Sequence, residues 1–107
     1  MKMIRAIIRP EKTTEVLNEL GEAGFPAVTK MDVVGRGKQR GVKVGNIHYD
    51  ELPKELLMIV VEDESVEDLT KIIIKTARSD EATFGDGKIF ISDVEEAYTI
   101  SSGDKTL

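Results

Sequence analysis

The chain has 107 residues, 40% hydrophobic and 33% charged, with a formal net charge of −5; this suits one compact domain with a small core and excludes a disordered chain. The acidic balance argues against a general nucleic-acid binder, which needs a basic face for phosphates, and the lack of cysteine excludes disulfides and cysteine–zinc sites and fits a cytoplasmic location. No apolar run reaches the length of a membrane span, and the start MKMIRAIIRP is too charged for a signal peptide.

Residues 3–8 alternate around Arg5, with Ile4, Ala6 and Ile8 on one side, which predicts a strand. Pro10 suits a helix start, and Val16, Leu17, Leu20 and Ala23 form an apolar stripe at helical spacing. Gly21 and Gly24 end that helix, and residues 27–34 form a second strand. A glycine-rich loop follows and runs to Pro53. Residues 56–61 (LLMIVV) are a third strand, apolar at every position. Ser65 and Asp68 have the spacing of a capping box, and Val66, Leu69, Ile72, Ile73 and Ala77 make a second amphipathic helix. Residues 88–94 form the fourth strand, and residues 98–100 add a short edge piece.

Strand–helix–strand twice, with right-handed crossovers, is the β-α-β-β-α-β ferredoxin-like sandwich, an α+β fold with a long loop between strands two and three. Two helices cover only one face of such a sheet. The strand LLMIVV is apolar on both faces, and Phe90 points away from Ile89 and Ile91, so the second face needs a partner. Self-association supplies one most simply.

Three segments could carry chemistry. In GRGKQRGVKVG, residues 35–45, glycines allow backbone N–H groups to approach an anion, while Arg36, Lys38, Arg40 and Lys43 supply positive charge. No Gly-Lys-Ser/Thr follows at P-loop spacing. Phe84-Gly85-Asp86-Gly87-Lys88 is a glycine turn leading directly into a strand with a lysine at its first position, and Leu52-Pro53-Lys54 sets another lysine at the mouth of strand three. Each alone has an ordinary reading: a tight turn, a solvated hairpin, a surface lysine. Glu62, Asp63 and Glu64 read as a charged helix entrance rather than a metal site. His48 is the sole histidine, so one chain can build neither a histidine triad nor a multi-histidine metal site.

Taken in order, IIRP, VVGRGKQRG, ELPK, IVVED and GDGKIF resemble the PII family of nitrogen-signalling proteins, over residues 7–103. The resemblance implies one PII domain over residues 1–107, assembled as a trimer, with ATP or ADP in clefts between subunits. It also implies 2-oxoglutarate beside the phosphates, bridged by magnesium, and a target-docking T-loop at residues 37–53. Carried over by position, Gly35, Gly37, Lys38 and Gln39 match the nucleotide-contacting base of the T-loop. Gly85, Asp86, Gly87 and Lys88 match the phosphate-binding turn, and Ile7, Thr29 and Val60 match positions near base and ribose. Arg9, Gln39, Gly41 and Lys54 match the 2-oxoglutarate contacts, with Gln39 also on magnesium. Arg40, Lys43, Val44, Asn46, His48 and Tyr49 belong to the part of the T-loop that meets a partner. The family implies a regulator rather than an enzyme.

Several features depart from enteric-type members. The T-loop is shorter and lacks their tyrosine signature, which makes Tyr49 a poor uridylylation site. Thr99 and Ser101 stand where many members have basic residues, Met58 replaces a glutamate near the adenine, and the loop ARSDEATF is longer and carries Asp80 and Glu81. The short loop VGNIHYDELPKE looks most like the branch encoded among nitrogenase genes in methanogenic archaea and some anaerobic bacteria. That branch acts with a PII-like paralogue and binds the dinitrogenase component. Three other readings stay open at this point: a family member regulating an ammonium transporter or another nitrogen-assimilation target, a small acylphosphatase-like enzyme sharing the fold, and a structural oligomer with no ligand.

Overall fold

The computed structural model describes residues 1–36, 42–44, 47–49 and 51–106, with only the backbone of 42–44 and 47–49. The alternation around Arg5 becomes strand β1, Lys2–Ile8, in which Ile4, Ala6 and Ile8 are buried. Pro10 opens a short 3-10 turn, Pro10–Lys12, that feeds helix α1, Thr13–Glu22. Val16 and Leu20 are the buried stripe of α1; Ala23, expected to extend it, is the exposed C-cap residue. Gly24 takes φ +96°, and the amide of Phe25 donates to the Leu20 carbonyl at 2.8 Å while that of Gly24 donates to Gly21 at 3.1 Å. This pair of bonds is a Schellman ending, and it needs the left-handed residue that glycine provides.

Strand β2, Thr29–Gly35, leads to two short strands, β3 (Val42–Val44) and β4 (Ile47–Tyr49), which pair antiparallel as a hairpin of their own. The next sheet strand, β5, is Leu52–Val61, starting four residues before the expected Leu56. Pro53 therefore lies in the strand opposite Val34, near the sheet end, where a missing N–H is tolerated. Helix α2, Val66–Ala77, follows a 3-10 turn at Asp63–Ser65. Ser65 already has helical backbone angles and makes no side-chain capping bond, so the expected capping box is absent. Strand β6 is Gly87–Asp93. The expected edge piece at residues 98–100 does not join the sheet; Tyr98 instead bridges Lys105 in a small terminal turn.

The sheet order is β2-β5-β1-β6, antiparallel throughout, with α1 and α2 packed against each other on one face. This is the expected ferredoxin-like arrangement. Leu57, Ile59 and Val61 of β5 join Ile4, Ala6 and Ile8 of β1 in the core beneath Val16, Leu20, Leu69 and Ile73. The alternate residues Leu56, Met58 and Val60 face the other way with Met3, Ile7, Met31 and Phe90, so the apolar strand does divide between two faces. One acidic residue breaks the core pattern. Glu55 is buried on the helix side with Lys30 Nζ at 3.5 Å, and its Oε2 has no hydrogen bond among the described residues. Among those residues, no helix is long and apolar enough to cross a membrane.

Candidate functional site

The C-terminal ends of β1 and β2 and the N-terminal ends of β5 and β6 meet at one end of the sheet, because all four strands are antiparallel neighbours. Ile8 lies opposite both Gly87 and Glu55, and Ile7 lies opposite both Lys88 and Leu56. By this register Ile7, Thr29, Gly35, Lys54, Val60 and Lys88 all occupy the face away from the helices. The strand positions expected to contact nucleotide or effector therefore share one face.

The glycine turn closes against this end. Phe84–Asp86 form a 3-10 turn, and Gly87 enters β6 at φ +117°. A Cβ on Gly87 would stand 1.8 Å from the Ile7 carbonyl oxygen. Only glycine lets the turn pass so close to the central strand. Gly35, at the root of the T-loop, lies against the stem of Lys54, whose Cγ would be 3.4 Å from an added Cβ.

Two cations reach the turn. Lys54 Nζ donates to the Gly85 carbonyl at 2.5 Å. Arg9 Nε donates to Asp86 Oδ1 at 3.3 Å and Arg9 Nη2 to Thr83 Oγ1 at 3.0 Å. The second carboxylate oxygen of Asp86 accepts from the Ser79 amide at 3.0 Å. Burial pushes the Asp86 carboxyl up, but hydrogen bonds from Ser79 and Arg9, with the Arg9 charge, outweigh it and leave its pKa below the ordinary 3.8. Burial, aided by the Arg9 guanidinium, holds the Lys54 ammonium below its ordinary 10.5, against the opposing pull of Glu11 and Asp86. Lys88 is exposed and has no ion pair among the described residues. One sheet end thus offers three positive side chains around a tight glycine turn, a cradle suited to an anionic ligand.

Arg9, Gly35, Lys54, Gly85, Asp86, Gly87, Lys88 and Ile7 come together here. Thr29 and Val60 do not. Thr29 is six positions from Gly35 along β2, about 20 Å away, and Val60 lies opposite Met3 at the far end of β1. Gly37, Lys38, Gln39, Arg40, Gly41 and Asn46 lie outside the described residues. Lys43 and Val44 fall in β3, and His48 and Tyr49 in β4, with Lys43 opposite His48. The magnesium ligand expected at Gln39 is therefore not described, and no group of three or more histidine or acidic side chains among the described residues is arranged to hold a metal. In the terminal turn Thr99 Oγ1 is 2.6 Å from Thr106 Oγ1.

Sequence reasoning did not single out Ser79 or Thr83, which anchor the turn from the preceding loop. Their signal is weak: small hydroxyl residues a few positions before a glycine turn occur in many loops. The loop holds its shape partly through Ala82 at φ +50°, whose amide donates to the Ser79 carbonyl at 3.1 Å. A larger hollow of about 580 Å³ lies behind the turn, between α2 and β6 on the helix side. Ile73, Ile74, Ala77, Ile89 and Ile91 give it apolar walls, and Arg78, Thr83, Asp86, Gly87 and Lys88 also line it, so it shares the turn with the cationic face.

Comparison with known proteins identifies the family. The family model described as nitrogen regulatory protein P-II matches residues 1–104. The chain is 58% identical over 100 residues to the nitrogen fixation nifHD region glnB-like protein 1 of Methanococcus maripaludis, covering 94% of this chain and 93% of that one. It is 56% identical over the full length of both chains to the nifHD region GlnB-like protein 1 of Methanobacterium ivanovii. To the nitrogen regulatory protein P-II 2 of Methanothermobacter thermautotrophicus it is 44% identical, over 97% of this chain and 92% of that one. With a glycine turn pinned to the end of a ferredoxin-like sheet and a family match over nearly its whole length, the chain belongs to the PII family of nitrogen regulatory proteins.

Proposed function

We propose that this protein is a nitrogen-status sensor that binds ATP or ADP together with 2-oxoglutarate and regulates nitrogenase by direct contact through the loop between β2 and β5. The observation that carries the reading is the convergence of Arg9, Lys54 and Lys88 on the Gly85–Gly87 turn. A triphosphate beside a dicarboxylate concentrates negative charge, and such a site needs several cations and close backbone approach. PII proteins generally bind these ligands and form trimers. The turn and Lys88 would face the phosphates, and Arg9 and Lys54 the carboxylates. Gln39 would hold a magnesium ion, whose charge would offset that of the phosphates and carboxylates, while Gly37 and Lys38 would contact the nucleotide and Gly41 the 2-oxoglutarate.

Thr29 and Val60, remote from the turn within one chain, would serve a cleft completed by a neighbouring subunit. The open sheet face supplies the surface for that assembly, as a homotrimer or a hetero-oligomer with a PII-like paralogue. The nitrogenase target is supported by the names of the relatives, which place them in nitrogen-fixation gene regions. Arg40, Lys43, Val44, Asn46, His48 and Tyr49 would meet the dinitrogenase component when 2-oxoglutarate is low. The reading is tested by capture from nitrogen-fixing cells. The tagged protein should retain dinitrogenase without 2-oxoglutarate and release it when 2-oxoglutarate and MgATP are added. Capture of an ammonium transporter in its place would overturn the nitrogenase assignment.

A further inference from the structure

We propose that Asp86 is a positioning residue for the carboxylate effector: it aims Arg9 rather than touching a ligand itself. The inference rests on the reading of Arg9 as a 2-oxoglutarate contact. The Asp86 side chain is 14% exposed and that of Arg9 is 21% exposed. Both Asp86 oxygens are already taken, Oδ1 by Arg9 Nε at 3.3 Å and Oδ2 by the Ser79 amide at 3.0 Å. A carboxylate with free oxygens beside phosphates would repel them; this one is turned inward and satisfied by the chain's own donors.

Arg9 needs such an anchor. It shares the sheet end with Lys54, and the two cations repel each other, which is one cause of the lowered Lys54 pKa. Without Asp86 the guanidinium would gain by swinging away from Lys54 into solvent. Asp86 offsets that repulsion and ties Arg9 to the turn that carries Gly85 and Gly87. A guanidinium has five N–H donors. Two are used, on Asp86 and Thr83, which leaves the outer ones for an incoming carboxylate. Arg9 and Lys54 then form a pair of cations whose spacing is set from behind by one partly buried anion.

The test is calorimetric, with MgATP titrated first and 2-oxoglutarate second, on wild type, Asp86→Asn, Asp86→Glu, Arg9→Lys and the double variant Arg9→Lys/Asp86→Asn. Asparagine has one oxygen and must present an N–H₂ to one of the two donors, so one anchor is lost. Asp86→Asn should weaken 2-oxoglutarate binding about tenfold, the scale of a charged hydrogen bond, and MgATP binding far less. Asp86→Glu, which keeps the charge, should recover part of the loss. In the Arg9→Lys background, where the Nε donor is gone, adding Asp86→Asn should cost little more. Equal weakening of MgATP and 2-oxoglutarate, undiminished in the Arg9→Lys background, would show a plain loop staple and overturn the proposal. Unchanged 2-oxoglutarate affinity in Asp86→Asn would overturn it as well. If wild type with MgATP bound no 2-oxoglutarate, the functional reading beneath the proposal would fail first.

Discussion

Replacing Gly87 with alanine perturbs the site at its tightest point. The residue sits at φ +117° and ψ −164°, a region that side-chain-bearing residues rarely enter, at a cost of about 1–3 kcal/mol. A Cβ there would also lie 1.8 Å from the Ile7 oxygen, 2.9 Å from the Ile7 carbonyl carbon and 3.2 Å from Ile8 Cα. All three are backbone atoms of β1, which is held between β5 and β6 and cannot yield as a flexible side chain would. The turn must therefore lift off, breaking the Ile8–Gly87 pairing and loosening the bonds from Lys54 and Arg9. The combined loss should exceed about 3 kcal/mol, a large part of the roughly 5–15 kcal/mol that stabilises a typical domain. Urea denaturation measures it as a lower midpoint, and nucleotide titration should show binding lost with it. Gly21→Ala is the internal control. It lies in α1 with open space around its Cβ position, so it should gain about 0.5–1 kcal/mol from helix propensity. A Gly87→Ala protein with an unchanged midpoint and unchanged nucleotide affinity would refute the steric reasoning.

Neighbouring residues on β5 should separate folding from assembly. Ile59→Asp buries a charge under the helices and should unfold the chain, whereas Val60→Asp, on the open face, should leave helical circular dichroism intact but dissociate the proposed trimer in light scattering. Lys54 has a folded pKa below 10.5, so the unfolded chain holds its proton more tightly and stability should rise as pH climbs from that lowered value to 10.5. Over the same window 2-oxoglutarate affinity should fall, and Lys54→Arg, which stays charged, should abolish that fall in calorimetry. Glu55→Leu removes a buried carboxylate that is not hydrogen-bonded through Oε2 and should leave the unfolding midpoint unchanged or raise it by about 1–2 kcal/mol of stability. A loss of more than that would mean the Lys30–Glu55 pair stabilises the fold.

Much of the fold is legible in the chain because its core obeys simple periods. The alternation of Ile4, Ala6 and Ile8 and the helical spacing of Leu69, Ile73 and Ala77 locate β1 and α2 within a residue or two. The doubly apolar LLMIVV correctly signals a strand whose apolar side chains divide between two faces. What hides is the start of β5, because Pro53, Lys54 and Glu55 interrupt the apolar run with residues that favour loops. Their strand pairing is imposed by β2 alongside, a tertiary effect that local propensity cannot express. The β3–β4 hairpin is missed for a similar reason, since each arm is only three residues long and set among glycines. For the site, the positions of Lys54, Gly85 and Gly87 follow from the motif order. The inward turn of Asp86 does not. It depends on Ser79 and Thr83, whose placement is fixed by how the preceding loop folds back past Ala82.

The proposed anion-binding pocket at the end of the sheet is tested most directly by titrating 2-oxoglutarate into wild-type protein with and without MgATP. If Arg9 and Lys54 present the effector beside bound phosphates, measurable 2-oxoglutarate binding should appear only once MgATP is present. Equal affinity in the absence of nucleotide would contradict it.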